Sequence, residues 1–430
     1  MLEITIASIF FGVVLHFIND RIYIFYYLFL YFFLPYILSL SLSLNFEDNQ
    51  YITNRSPIFI MIIFLIEAVK NRFRFQNLRS LVILILLFFY VLYGVVLHGA
   101  PLEEYILHFF VSFIAPLFCC ANLFYWKEPD WQKLKRFLAF LFSIELVLFF
   151  LQYFFCVLTP TFREDSVTLT EASGTLSGGN VFSTFVLLFL CFFLMCSIQN
   201  RTKWFLIILS FLAILLSGVR TYLICFLLFV PLSWFLTKKR EIKPIYVILI
   251  AVFVFLFIGF VSNINTRGYA TNEADNPIER QLYGLSNFSR GESTTAEKST
   301  MFLSLVVFSE YFVNNPLFGS WQLYTEKSYD PVSPENENVM DAGLAVYLSD
   351  LGIMGMLLYV LFQILIFFSD AEKRQKKQIL MFYLYALITT YTDIGIFGGM
   401  FTCCILIVCS LIKNYQLNCD LQLSCDSVND

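Results

Sequence analysis

Long apolar runs are the feature that most limits what this chain can fold into. About 20 apolar residues are enough for an α-helix to cross a bilayer. Membrane β-barrels alternate polar and apolar residues, and these runs do not. The sequence therefore predicts an all-α, polytopic integral membrane protein with about 12–13 transmembrane helices. The candidate spans are roughly 3–18, 22–44, 57–69, 80–98, 104–125, 137–158, 180–199, 203–217, 219–236, 244–262, 341–369, 379–394 and 396–412.

The composition agrees with this fold class. Of the 430 residues 59% are hydrophobic and only 14% are charged, which is more apolar surface than a soluble domain can hide. The net charge of −4 comes with no basic patch interleaved with aromatic residues, so we expect no nucleic-acid partner. The first residues lack a basic region followed by a small-residue cleavage site, so no removed signal peptide is expected.

Basic residues indicate the sidedness of the chain. Of the 28 Lys and Arg residues, 19 lie in short segments between spans, and every one falls on the same side if the spans are right. Cytoplasmic loops carry such an excess of Lys and Arg. The clusters lie at 70–79, 127–136, 201–203, 238–243 and 373–377, with Lys413 after the last span.

This parity implies four regions. Residues 1–262 form N-terminal transmembrane helices, 263–340 a long external loop, 341–413 C-terminal transmembrane helices and 414–430 a cytoplasmic tail. A shorter segment, about 159–179, also faces outward. Thirteen spans would put the N-terminus outside and twelve would put it inside, and the first 45 residues leave this open. The sequence shows neither an internal repeat nor a broken helix.

One apolar stretch, from Trp204 to Leu236, is too long for one straight span and short for two. Only Ser217-Gly218-Val219-Arg220-Thr221 interrupts it. Because Lys203 and Lys238 both belong inside, the chain must go out and back, with its turn near Arg220 at the outer surface. A charge at membrane depth is costly and usually faces a cavity or pathway, although a snorkelling arginine is the alternative.

The long loop contains an amphipathic helix. Thr294 and Glu297 have capping-box spacing, and Asn315-Pro316 supplies a stop. Lys298 shares one helical face with apolar side chains. Arg is suited to bidentate phosphate contacts, and seven of the nine basic residues outside the cytoplasmic clusters are Arg. For Arg290 and Lys298 the alternative is a solvated ion pair, and Arg267 and Arg280 read as surface charges.

Asp341 begins the next predicted helix, where it is either an N-cap or a catalytic carboxylate. The three histidines have no triad partners and suit packing. None of the 11 cysteines lies in the two external segments, and no Cys/His spacing suits zinc. We therefore expect no disulfide, no metal and no cofactor.

Four motifs resemble those of the O-antigen polymerase and ligase superfamily. They are the S-G-x-R-T turn at 217–221; two basic positions, Arg290 and Lys298, followed by N-P-x-x-G at 315–319; Asp341-Ala342-Gly343-Leu344 with Gly352-Ile353-Met354-Gly355, which looks like the family's D-x-G-x-L and G-I-x-G signature; and Ser173-Gly174-Thr175-Leu176 with Asn180. The resemblance covers roughly 160–360. Glu171 and Lys298 stand where many members have Arg. Ligases carry a His-Asn pair at the position of Asp341, so the chain resembles the Wzy-type polymerase branch.

The resemblance implies a function. Such an enzyme transfers a growing glycan from undecaprenyl diphosphate to a lipid-linked repeat unit, at the outer face of the bacterial cytoplasmic membrane. The resemblance also implies a chain-length regulator protein as a partner. Arg220 and Arg290 would stabilise the diphosphate and Asp341 would handle the acceptor hydroxyl. Lys298, Arg163, Asn180 and Arg280 would bind substrate. The alternatives are a ligase with another acceptor and a transporter of lipid-linked sugar.

Overall fold

Helices occupy the apolar runs that the sequence singled out. The computed structural model describes residues 2–19, 22–42, 51–52, 55–70, 72, 78–99, 128–155, 157–158, 172–176, 179–196, 200–217, 220–237, 312–321, 343–368, 371–392 and 399–414. Within these ranges the chain forms α-helices and no strand, which confirms the all-α class for this part of the chain. The candidate spans 104–125 and 244–262 and most of the long loop lie outside the described residues.

Twelve α-helices are described. In chain order they are α1 (Leu2–Ile18), α2 (Ile22–Phe32), α3 (Leu34–Leu42), α4 (Ile58–Lys70), α5 (Leu78–His98), α6 (Glu128–Phe155), α7 (Gly179–Met195), α8 (Asn200–Leu216), α9 (Arg220–Thr237), α10 (Gly343–Phe368), α11 (Lys373–Thr392) and α12 (Gly399–Asn414).

Several of these helices are long and apolar enough to cross a bilayer. Three qualify alone, Leu78–His98, Trp131–Phe155 and Leu348–Phe368, and α2 with α3 would make a fourth, bent by 44°. Four others are apolar but shorter. The described helices thus include three or four candidate spans, and the larger number of 12–13 stays a prediction.

The stretch from Trp204 to Leu236 forms the two helices that the basic residues implied. The rings of Trp204 in α8 and Trp234 in α9 lie 5.4 Å apart, and the Lys203 ammonium lies 5.9 Å from the Trp234 ring. The start of α8 therefore meets the end of α9, and the two helices are antiparallel. The first helix ends at Leu216 and the second begins at Arg220, so the chain reverses near Arg220, as predicted.

Lysines from separate clusters lie at the same end of the bundle. The Lys203 ammonium donates to the Leu194 carbonyl at 2.8 Å, and the Lys413 ammonium donates to the Ile366 carbonyl at 2.6 Å. Cations favour the negative ends of helix dipoles. The Phe185 and Phe401 rings, 6.1 Å apart near the starts of α7 and α12, show that these two helices run the same way. We call the end that holds Lys203 and Lys413 the basic end.

The N-terminal helices share this orientation. Ring contacts between Phe25 and Phe137 (5.2 Å) and between Phe32 and Phe185 (5.1 Å) show that α2 starts at the basic end. A buried bond of 3.0 Å joins His16 Nε2 to a Glu67 carboxylate oxygen, near the ends of α1 and α4. Because α1 packs antiparallel to α2, it ends at the basic end, as does α4 with Lys70. His16 thus has the packing role expected of it.

Two helices are broken, although the sequence indicated no broken helix. The α2–α3 pair bends by 44°. In α10, Gly352 has φ 66° and ψ 179°, a conformation that a side chain disfavours and that Gly adopts freely. The expectation of unbroken helices was wrong. Pro35, just after the α2–α3 break, is a local signal for a bend that was overlooked, whereas the single Gly inside the apolar run of α10 does not by itself distinguish a bend from a packing contact.

The shared orientation predicts which loops lie on the same side of a membrane. With native cysteines replaced, introduced cysteines at Asn19, Phe75 and Arg374 should react with an impermeant maleimide only after the cells are permeabilised. Cysteines at Thr170, Asp275 and Asp330 should react in intact cells. Labelling of Asn19→Cys in intact cells would contradict the common basic end.

Candidate functional site

A polar turn at 172–176 packs against α6 through the Gln152 side chain. Gln152 Nε2 donates to the carbonyls of Gly174 (2.7 Å) and Leu158 (3.1 Å). Its Oε1 accepts from the amides of Ser173 (3.0 Å) and Gly174 (2.9 Å). One side chain thereby bonds to four backbone groups. The Leu158 carbonyl also accepts the Tyr36 hydroxyl at 2.8 Å, and the three groups of Ser173 and Gly174 would otherwise be buried without this partner.

Glu145, two helical turns before Gln152 in α6, holds the same turn. One carboxylate oxygen accepts from the Thr175 amide at 2.9 Å, and the other accepts from the Thr175 hydroxyl. Residues seven apart lie on one face of an α-helix, so Glu145 and Gln152 form a polar stripe on an otherwise apolar helix. Glu145 is 1% exposed, so it supports the turn and does not reach solvent.

Gly174 permits this close approach. Its φ is +65°, and a Cβ atom built on it would lie 2.0 Å from a Glu145 carboxylate oxygen. Both the backbone conformation and the space exclude a side chain. This fold therefore requires a glycine at the second position of the Ser-Gly-Thr-Leu motif.

The turn leads directly to α7, which contacts the Arg220 turn. The hydroxyls of Ser183 in α7 and Ser217 lie 2.8 Å apart, both buried. Arg220 is the first residue of α9. One turn of α7 therefore separates the 172–176 turn from the S-G-x-R-T turn, and the Tyr385 hydroxyl of α11 adds a bond of 2.9 Å to the Thr184 carbonyl beside them.

A second assembly forms where 315–321 lies in the break of α10. Four backbone hydrogen bonds join the two segments, and we call this contact the α10 joint. They run from Ser320 N to Ser349 O (2.9 Å), Trp321 N to Asp350 O (3.2 Å), Ile353 N to Pro316 O (2.9 Å) and Met354 N to Leu317 O (3.0 Å).

Two glycines make the α10 joint possible. A Cβ on Gly319 would lie 2.0 Å from the Asp350 carbonyl oxygen, and one on Gly352 would lie 2.4 Å from the Gly319 amide nitrogen. Both have positive φ. The N-P-x-x-G and G-I-x-G motifs, more than 30 residues apart in the chain, are thus two halves of one backbone contact. The predicted stop also occurs, because the helical turn at 312–314 ends at Asn315.

Both assemblies lie at similar depth. Ser217 is 14 residues from Lys203 along α8, and Gly352 is 14 residues from Ile366 along α10. At 1.5 Å per helical residue, each lies about 21 Å from the basic end. The described residues of the motifs therefore lie in the same half of the bundle, away from the lysines.

The predicted site residues fall mostly outside this part of the chain. Arg163, Arg280, Arg290, Lys298 and Asp341 lie outside the described residues. The structure gives the backbone of Arg220 at the start of α9 and leaves its side chain undescribed. Asn180 lies in the first turn of α7 with an exposed side chain, and its carbonyl accepts the Thr184 hydroxyl at 2.9 Å.

Sequence reasoning missed three residues that hold the motifs. Glu145 and Gln152 could have been found, because polar residues seven apart in an apolar helix share a face and need partners. Tyr90, whose hydroxyl bonds to the α10 joint, has no such signal, since it is one of 24 tyrosines in an apolar helix.

No protein-family model matches the chain, and no curated protein matches it. The resemblance to polysaccharide polymerases therefore rests on the motifs.

The polar stripe predicts a stability loss that a single substitution can measure. Gln152→Leu keeps the side-chain volume and removes the partner of three buried backbone groups, the Ser173 and Gly174 amides and the Gly174 carbonyl, at a cost of about 1–3 kcal/mol for each group that stays buried and unsatisfied. We expect a clear fall in the unfolding temperature of the purified protein in detergent.

Ser143→Ala is the matched control, because Ser143 lies exposed on the same helix and bonds only within it, to Ala139. It should leave the unfolding temperature nearly unchanged. Equal stability of Gln152→Leu and the wild-type chain would show that the turn does not depend on Gln152.

Proposed function

We propose that the chain is a membrane-bound polysaccharide polymerase. It transfers a growing glycan from undecaprenyl diphosphate to the non-reducing end of a lipid-linked repeat unit, at the outer face of the bacterial cytoplasmic membrane. In this orientation the basic end faces the cytoplasm. Since α1 ends there, residue 2 lies at the outer face, which favours thirteen spans over twelve.

The observation that carries the proposal is the α10 joint. N-P-x-x-G and G-I-x-G are motifs of the resembled polymerases, and here they contact each other through backbone bonds that only glycine permits. A chance match of short motifs gives no reason for such a contact. The contact between Ser183 and Ser217, which joins the other two motif regions, supports the same view.

The chemistry is a glycosyl transfer. The acceptor hydroxyl oxygen attacks the anomeric carbon of the growing glycan while the bond from that carbon to the diphosphate oxygen breaks. Undecaprenyl diphosphate leaves with the bonding electron pair, and the hydroxyl proton passes to a base. Negative charge grows on the diphosphate, so fixed cationic donors at low dielectric stabilise the transition state most.

The basic residues have the roles that this charge requires. Arg220 and Arg290 bind the diphosphate oxygens with Lys298 assisting, and Asp341 orients or deprotonates the acceptor hydroxyl. Arg163, Asn180 and Arg280 bind the glycan or its carrier. Basic side chains supply the charge neutralisation in this scheme, so the proposal assigns no metal or cofactor. Its partners are the lipid-linked oligosaccharide, membrane lipid and a chain-length regulator protein.

Transport of lipid-linked sugar is the alternative from another class, and the break in α10 bears on it. Transporters use broken helices whose free ends face the substrate. Here the neighbouring segment bonds to both sides of the break, at Ser349, Asp350, Ile353 and Met354. The backbone groups freed by this break are bonded to another segment of the chain and do not face a substrate, which favours an enzyme over a transporter. A ligase with a different acceptor shares the chemistry and differs in carrying His where Asp341 stands.

Two substitutions test the proposed roles. Arg220→Lys keeps the charge and loses the bidentate fork, so it should lower the rate of polymer formation by about tenfold or more. Asp341→Asn should also reduce polymer formation while preserving a helix cap, because Asn caps about as well as Asp. The measurement is the ladder of polymer lengths in a strain that lacks its own polymerase.

Each variant should accumulate single repeat units at a normal protein level, checked by immunoblot. A wild-type ladder from Asp341→Asn would reduce Asp341 to a helix cap. A strain in which the wild-type chain forms no polymer would refute the polymerase proposal itself.

A further inference from the structure

The break in α10 frees one carbonyl that the 315–321 segment does not satisfy. The segment bonds to the carbonyls of Ser349 and Asp350. The next carbonyl, that of Leu351, accepts instead from the Tyr90 hydroxyl of α5 at 2.5 Å. A third element is thus needed to complete the joint.

The same hydroxyl also reaches the other side of the joint. It lies 2.9 Å from the Phe318 carbonyl, to which the Trp321 indole nitrogen also donates at 2.7 Å. A hydroxyl has one proton, which here lies between two carbonyl oxygens from the two segments. Tyr90 therefore links 315–321 and α10 at one point.

The Tyr90 ring is fixed where this bond requires it. A Cβ on Gly355 would lie 2.6 Å from the ring, so α10 packs directly on one part of it. The Trp321 ring lies 5.3 Å away at 50°. It also packs on Gly94, where a Cβ would lie 2.1 Å from the indole. Two glycines, one in α5 and one in α10, let these rings fit, so the hydroxyl cannot turn away while the joint is intact.

The first arm of α10 depends on this point. Its last residue is Leu351, whose carbonyl Tyr90 binds, and its first is Gly343, two residues after Asp341. An arm of nine residues moves as a rigid rod about 13 Å long. A small rotation about its Leu351 end therefore displaces the Gly343 end several times further than it displaces the residues at the joint. The direction of the arm sets the direction from which the preceding residues approach.

We propose that Tyr90 is a positioning residue for the polymerase reaction: its hydroxyl fixes the angle of the first arm of α10 against the 315–321 segment. This inference rests on the proposed function for its effect on turnover. It assigns a role to a helix outside the region of motif resemblance. Tyr90 itself contacts no substrate in this account, and acts through the α10 joint.

Tyr90→Phe tests the role, because it removes the hydroxyl and keeps the ring between Gly355 and Trp321. Hydrogen exchange of the purified full-length chain should show amides of 315–321 and 349–356 exchanging about tenfold faster, as loss of one buried hydrogen bond predicts. Exchange in α7 should be unchanged, which confirms an intact fold. Tyr93→Phe is the matched control: Tyr93 is one turn away in α5 and more exposed.

Turnover provides the second readout. With a lipid-linked repeat unit as substrate, Tyr90→Phe should lower kcat by about tenfold and leave KM close to the wild-type value, because a tilted arm alters the reacting geometry more than binding. A purely structural role would change the amount of folded protein and leave kcat per folded molecule unchanged. Tyr93→Phe should keep both constants.

Three outcomes would overturn the inference, and they are distinguishable. Wild-type exchange in Tyr90→Phe would show that the hydroxyl does not hold the joint. Faster exchange with wild-type kcat would show that the joint does not position the reaction. A wild-type chain that forms no polymer would refute the proposed function, and with it any role of Tyr90 in that reaction, whatever the exchange data show.

Discussion

The contact on which the candidate site depends is the repair of α10 at Gly352. A helix that breaks inside an apolar bundle exposes backbone groups, and in hydrocarbon each one left unsatisfied costs several kcal/mol. Five such groups are bonded here, the carbonyls of 349–351 and the amides of Ile353 and Met354. The partners come from 315–321 and from Tyr90. Neither α10 nor the segment could adopt its observed shape without the other.

The same principle accounts for the first assembly. A turn buried against α6 needs partners for its backbone, and Gln152 with Glu145 supply them. In each case a motif with an essential glycine is held by polar side chains from an apolar helix outside the motif. Glycine allows the approach, and the partner helix satisfies the polar groups. The glycines of these motifs are therefore explained by backbone packing alone, without any catalytic role.

For the proposed polymerase, this arrangement would supply a rigid frame beneath a polar loop. Transition-state stabilisation requires cationic donors at fixed positions, and long side chains on a loop hold positions poorly unless the loop is anchored. The α10 joint anchors the 315–321 segment of the long loop, and the contact between Ser183 and Ser217 anchors the residue that follows α8, three positions before Arg220. Both anchors lie about 21 Å from the basic end, on the side where the substrate is proposed to bind.

Helix positions were predictable from sequence and the joints were not. Apolar runs located α1, α4, α5 and α7–α9 to within a few residues, and the lysines flanking 204–236 correctly required a turn. The motifs indicated which stretches matter. What sequence could not give was their partners: Tyr90, Glu145 and Gln152 act through contacts between distant segments, and the break at Gly352 depends on a neighbour that supplies hydrogen bonds. The seven-residue spacing of Glu145 and Gln152 marks them as polar residues on one helical face, but no pattern in the chain identifies the distant segment that each residue contacts.

The α10 joint itself is open to direct measurement by disulfide trapping. The side chains of Leu317 and Met354 are both exposed beside a backbone bond of 3.0 Å, so cysteines at these two positions in a chain without native cysteines should form a disulfide under mild oxidation. Leu361, exposed on the same helix and about 10 Å further along its axis, is the matched partner that should not react with Leu317→Cys. A disulfide between 317 and 354, identified as a joined peptide by mass spectrometry, is the predicted result. Absence of that bond, or equal trapping at 361, would contradict the repair of α10 by the 315–321 segment.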